Sequence, residues 1–246
     1  MDLTQAIEYI QDHRKDLTLF NLGEPSIAEE LRSFFSTQNL RIQTAGTASG
    51  RPRALAILSS GRTILAIVDV SVLRELTESV PRASDVGIAD SEYADLLRHL
   101  KETTFTSYDT EQLLYASREI EDRARRVGQG TIHAGFQRFS VMAEQEQIYS
   151  DLARRGIDVY AYGIPDTQPP DFATGEIHAT NADEIAESWF VIFDGGGTNS
   201  QKSALIATER AEDDWFGAWT YDPAIVDRLC EYLDGTYRSR TSDTPL

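Results

Sequence analysis

The chain has 246 residues, 41% of them hydrophobic and 9% aromatic, enough apolar material to bury a core and too much for a disordered segment. Its 40 acidic residues outweigh 23 basic ones, and a net charge of -17 repels nucleic-acid phosphates and anionic lipid surfaces, so both are excluded as expected partners. Lys15, Lys101 and Lys202 are the only lysines; a carboxylate excess with so little lysine predicts adaptation to molar salt, where the screening length falls to about 3 Å.

Taken in chain order, Thr4 to His13 predicts a helix with Ile7 and Ile10 on one face, and Leu17–Leu22 alternates as a strand. Pro25-Ser26 opens a second helix carrying Ile27, Leu31, Phe34 and Phe35. Leu40–Thr44 reads as a strand, and Arg53–Leu58 and Thr63–Val68 read as a hairpin around Ser59-Ser-Gly-Arg62. Helices are expected at Val72–Thr77 and Glu92–Lys101, with a loop from Glu78 to Asp90 between them. Tyr108-Asp109 begins a helix whose core stripe is Leu113, Ala116, Ile120, Ala124 and Val127, closed by Gly128. A further helix is predicted from Phe136 to Arg155. Strands are expected at Asp158–Gly163, Ile177–Ala179, Ser188–Phe193, Ser203–Thr208 and Trp215–Thr220. The last helix, Pro223–Leu233, has Asp222 as N-cap and Pro223 at its first position.

The fold class is therefore α/β (α+β): a small N-terminal α/β lobe over 1–103, then, over 104–234, a helix pair and a mainly antiparallel sheet with a closing C-terminal helix, and a frayed polar tail over 235–246. The sequence carries no leader and no apolar run long enough to span a bilayer, which predicts a cytoplasmic protein. Cys230 is the single cysteine, so no intramolecular disulfide forms, and its apolar helical setting predicts a small buried side chain rather than a reactive thiol.

Four features could carry chemistry. Asp194-Gly-Gly-Gly-Thr-Asn199 resembles the phosphate loops of sugar kinases and actin-like ATPases, but no second loop of that type follows. Three glycines between two strands fit a hairpin connection better. Arg118-Glu-Ile-Glu-Asp-Arg123 is a dense charge cluster in which Glu119/Arg123 and Glu121/Arg125 have the favourable helical spacing; it is either a solvated face or one wall of a polar pocket. His133, in a segment expected to link two helices, has no partner histidine at ligand spacing, so no metal site is predicted, and no motif marks a catalytic residue. Aromatic residues crowd the second half, and alternation sets Trp189, Val191 and Phe193 against Phe190, Ile192 and Asp194.

In order along the chain, Ser117-Arg-Glu-Ile-Glu-Asp122, His133-Ala-Gly-Phe-Gln137, Trp189-Phe-Val-Ile-Phe-Asp194 and Ala218-Trp-Thr-Tyr-Asp-Pro223 resemble the DICT sensory domain, and the version here is similar to the stand-alone type of halophilic archaea. The resemblance implies a sensory role without enzymatic activity or cofactor. It implies a small molecule or protein partner as ligand, with the signal passing to a separate output protein such as a histidine kinase. The positions that match the family pattern are Arg118, Glu119, Glu121, Asp122, Phe136, Gln137, Trp189, Asp194, Trp219 and Tyr221, and all of these but Phe136, together with His133, form the candidate ligand site. Two other readings stay open. A phosphate-handling enzyme needs the Asp194 loop open to a pocket, and a scaffold protein needs a long exposed surface.

Overall fold

The computed structural model describes residues 1–35, 40–78 and 102–238. The chain divides into two compact units, residues 10–103 in one and residues 1–9 with 104–246 in the other. It begins with helix α1 (Leu3–Asp12), of which residues up to Tyr9 belong to the second of these.

In the unit of residues 10–103, strand β1 (Lys15–Phe20) leads through α2 (Ser26–Phe34) to a parallel neighbour, β2 (Leu40–Ala45). The predicted hairpin follows as β3 (Leu55–Ser60) and β4 (Thr63–Asp69), and α3 (Val70–Glu78) comes next. The sheet order is β2-β1-β3-β4. Leu17, Leu19, Ala56 and Leu58 from the sheet pack with Leu31 and Leu73 from the helices. The helix expected at Glu92–Lys101 and nearly all of the loop before it lie outside the described residues.

The larger unit is built on a seven-stranded sheet of order β5-β11-β10-β9-β6-β7-β8. Its elements are β5 (Glu102–Tyr108), α4 (Thr110–Val127), β6 (Gly130–Arg138), α5 (Phe139–Ala143), α6 (Glu146–Arg154), β7 (Ile157–Ile164), β8 (Glu176–Ala179), α7 (Asp183–Glu187), β9 (Ser188–Phe193), β10 (Ser203–Ala211), β11 (Asp214–Thr220) and α8 (Pro223–Leu233). Strands β6, β9, β10 and β11 pair antiparallel, while β6–β7 and β7–β8 are parallel. Local chemistry sets the helix ends. Asp109 and Gln112 form a reciprocal capping box at the start of α4, Gly128 ends it in the left-handed region at φ 72°, and Asp222 caps α8 ahead of Pro223.

One expected element is corrected. The helix predicted over Phe136–Arg155 begins instead as β6, turns at Gln137 (φ 61°), and becomes α5 and α6 only from Phe139. The segment around His133 is therefore a strand near the middle of the sheet, not a link between helices. Tertiary packing overrides weak strand propensity here, because both faces of β6 are covered and Ile132 through Phe136 are all buried.

Alternation along the strands divides the core in two. Ile132, Ala134, Phe136, Trp189, Val191, Phe193, Leu205 and Ala207 face α4, α5 and α6. The opposite face meets α7 and α8. There the Phe190 ring lies over Gly135 so closely that an added Cβ would meet ring carbon at 2.1 Å, so only glycine fits at that position. Of the tail expected to fray over 235–246, residues up to Arg238 continue α8 as a π-helical turn, Asp234–Arg238, with Tyr237 buried, and 239–246 lie outside the described residues.

Candidate functional site

Eight of the ten candidate residues fall into four places. Arg118 and Glu121 meet on the buried side of α4. The Arg118 guanidinium donates to Glu121 Oε2 and to Gln145 Oε1, each at 2.5 Å, and the Tyr149 hydroxyl donates to Glu121 Oε1 at 2.8 Å. Burial pushes the Glu121 carboxyl above its ordinary pKa, and the Arg118 charge opposes that shift. The pairing of Glu121 with Arg125 expected from helical spacing does not form: Arg125 bonds Asp122 at 3.1 Å and reaches Asp151 at 3.3 Å. The cluster is a filled polar joint between α4, α6 and the turn before α6. Trp189 is filled in the same way, its indole N–H donating to Ser117 Oγ at 3.0 Å and its ring edge-on to Phe136 and Trp215.

The glycine loop is a second place. Asp194 Oδ1 accepts from the backbone N–H groups of Thr131 and Gly196, at 2.9 and 2.8 Å, and the Asp194 N–H donates to the Thr131 carbonyl. A Cβ on Gly196 would lie 2.5 Å from the Gln129 carbonyl, and one on Gly130 would lie 2.4 Å from the Asp194 carboxylate. All three glycines have positive φ, at 80°, 58° and 87°. The loop is thus the antiparallel connection between β9 and β10, packed onto the start of β6, and Asp194 spends its Oδ1 on backbone donors rather than on a phosphate-bound cation.

His133 occupies a third place, on the α7/α8 face of the sheet. It shares a 2.8 Å hydrogen bond with the Tyr162 hydroxyl and stacks on Tyr160 and Tyr162, while His178 stacks on Tyr162 from the next strand. Burial pushes the His133 pKa down to about 4 against the pull of Asp234, 3.9 Å away. The C-terminal turn closes this row. Arg238 donates to the Tyr160 hydroxyl at 2.8 Å and lies over its ring, and Tyr232, Tyr237 and the Leu3 N–H all donate to Glu184. Among the described residues no group of three or more histidine, cysteine or acidic side chains could hold a metal. Cys230 is half-buried, and its thiol is pushed up to about 12 by burial.

The fourth place is open. A groove of about 570 Å³ runs between α4 and the ends of β5 and β11, lined by Tyr108, Gln112, Tyr115, Ala116, Glu119, Trp219 and Tyr221. Gln112, Tyr115, Ala116 and Glu119 follow the i, i+3, i+4, i+7 spacing of one helical face. Glu119 Oε1 is held by Arg123 at 3.5 Å and Arg126 at 3.8 Å, and Arg123 also lies 4.9 Å from the centre of the Tyr221 ring. Burial raises the pKa values of Tyr108 and Tyr221, so both phenols stay neutral at ordinary pH. Of the ten candidates only Glu119, Trp219 and Tyr221 line the groove. Asp122 lies on the exposed side of α4, and Gln137 bonds Glu209 at the surface. Tyr108, Gln112, Tyr115 and Ala116 were not among the candidates. The signal that marks them is Tyr115, a large aromatic outside the Leu113–Ile120–Ala124 core stripe and 71% exposed.

Among the described residues no helix is long and apolar enough to cross a membrane. No curated protein matches the sequence. Among solved structures, the chain is similar to TrmBL2, described as an archaeal chromatin protein with a novel mode of DNA binding, at 14% identity and a TM-score of 0.39, over 60% of this chain and 58% of that one. It is also similar to the polyphosphate kinase of Porphyromonas gingivalis at 10% identity and a TM-score of 0.34, over 94% of this chain and 47% of that one. The chain thus spans under two thirds of either protein, and likenesses this low carry no argument about function. Residues 90–210, a segment that holds β6, β9, the glycine loop and all of α4, match the family model of DICT, the sensory domain in diguanylate cyclases and two-component systems.

Proposed function

We propose that this chain is a signal-transduction sensor that binds a small molecule in the groove between α4 and β11 and passes its state to a separate output protein. One observation supports this placement of the site: the groove is open and aromatic, whereas the Arg118–Glu121 cluster and the Trp189 core are filled by their own partners. Its two walls belong to different elements, a helix and the end of a strand. A ligand bridging them favours one packing of α4 on the sheet, and the shift reaches α6 through the Glu121–Tyr149 joint on the helix's other side. Such a shift requires the ligand to bind one packing better than the other.

The test is thermal unfolding in molar KCl against a panel of nucleotides, cyclic dinucleotides, bilins, flavins and small amines. A ligand present at a hundred times its Kd raises native stability by about 2.7 kcal/mol through mass action. The expected result is a hit that Trp219→Ala abolishes and Asp194→Asn keeps. A hit that depends on Mg²⁺ and ATP and is lost in Asp194→Asn would overturn the reading in favour of a phosphate-handling enzyme.

A further inference from the structure

The rings of the groove do not form a flat slot. Trp219 and Tyr221 stand 6.4 Å apart between centroids and are tilted by 53°. A planar ligand sandwiched between two rings needs them parallel, whereas rings inclined to one another make the corner of a box, which suits a rounded head. Tyr108 and Tyr115 add two more rings, and the Tyr115 ring is free to close over an occupant because it is mostly exposed.

The charges point the same way. No lysine or arginine lines the groove, and Glu119 is its one acidic lining residue. The two arginines that hold Glu119 both approach Oε1. The Tyr221 ring already accepts a cation, the guanidinium of Arg123. A ring face attracts positive charge through its quadrupole, more strongly when water is displaced, and a carboxylate nearby adds to the attraction.

We infer that the groove takes a small organic cation with an alkylated ammonium head, seated against Tyr115, Trp219 and Tyr221 with its charge toward Glu119. This rests on the groove being the ligand site. The methyl groups of such a head bury apolar surface on the rings, which a hydrated metal ion cannot do, and the chain's net charge of -17 raises the local concentration of any cation.

The experiment compares choline with 3,3-dimethylbutan-1-ol, the same shape without the charge, titrated into the full chain. The readout is the indole N–H resonance of Trp219, identified by its loss in Trp219→Phe; the Trp189 and Trp215 signals report that the core is intact. Choline is expected to move the Trp219 resonance and to bind at least about tenfold more tightly than the alcohol. Glu119→Gln is expected to weaken choline several-fold and leave the alcohol unchanged, and Tyr115→Ala to weaken choline by about tenfold. Equal binding of the two compounds overturns the inference. A neutral or anionic panel compound that moves Trp219 when choline does not overturns the cation and keeps the groove as the ligand site. No movement of Trp219 with any compound overturns both.

Discussion

The Tyr149 hydroxyl donates to Glu121 Oε1 at 2.8 Å, tying α6 to a carboxylate buried beneath α4. Removing the hydroxyl leaves that carboxylate with Arg118 alone, in a site where burial already disfavours its charge. Tyr149→Phe should therefore destabilise by about 1–3 kcal/mol in denaturant unfolding. Because the folded pKa of Glu121 is raised, its charged form opposes folding, and stability from this group falls as pH rises through that value. Glu121→Gln keeps the shape and removes the charge, and Arg118 keeps contact with water at 35% side-chain exposure. That variant should lose less than Tyr149→Phe at neutral pH.

His133 has the opposite sign. Its folded pKa of about 4 lies below its ordinary 6.5, so the folded state holds fewer protons than the unfolded state between those values. The stability it contributes is full above pH 6.5 and is lost as pH falls toward 4, by roughly 3 kcal/mol at most. Asp234 and Asp194 pull its pKa up, and Arg238 and His178 push it down. Chemical denaturation from pH 7 to pH 4 should show this slope, and His133→Phe should flatten it.

His178 is buried, and neither of its ring nitrogens has a hydrogen-bond partner among the described residues. Its flat contact with Tyr162 depends on the ring rather than on the nitrogens. His178→Phe should keep the stack and remove two unsatisfied polar atoms, raising stability by about 1 kcal/mol. A loss of stability on that substitution would mean that water or a ligand satisfies the imidazole.

In the glycine loop the three positions should respond unequally. Gly197→Ala meets no atom within 4 Å and suffers only its left-handed backbone, a loss of about 1 kcal/mol. Gly196→Ala adds a contact at 2.5 Å with the Gln129 carbonyl and should lose clearly more. Asp194→Ala frees two backbone donors and should destabilise by about 2–3 kcal/mol, measured by thermal unfolding.

Features that depend on neighbouring residues were legible in the sequence. The α4 boundaries follow from Asp109 and Gly128, the α8 start from Asp222-Pro223, and β9 from its apolar run. Strand β6 was not legible, because a strand buried on both faces shows no alternation and Phe136–Met142 is equally good helix. The charge cluster on α4 was visible, but not its division. Helical spacing puts Glu119 and Glu121 on different sides, and only the packed sheet decides that Glu121 is the buried one. The groove closes between Tyr108 and Tyr221, over a hundred residues apart, so no local pattern announces it.

The nine residues of the larger unit that precede the intervening unit have a bearing on where this protein can be cut. Leu3, Ala6 and Ile7 are buried, and the Leu3 N–H is held by the same Glu184 that holds Tyr232 and Tyr237. The stretch that matches the family stops at residue 210, before β11 and α8. What is inherited as a recognisable segment and what can stand alone in water are therefore different lengths of chain. An isolated 90–210 fragment would leave β10 unpaired along one edge and the His133–Tyr162 face bare of α8, an invitation to aggregation rather than to sensing.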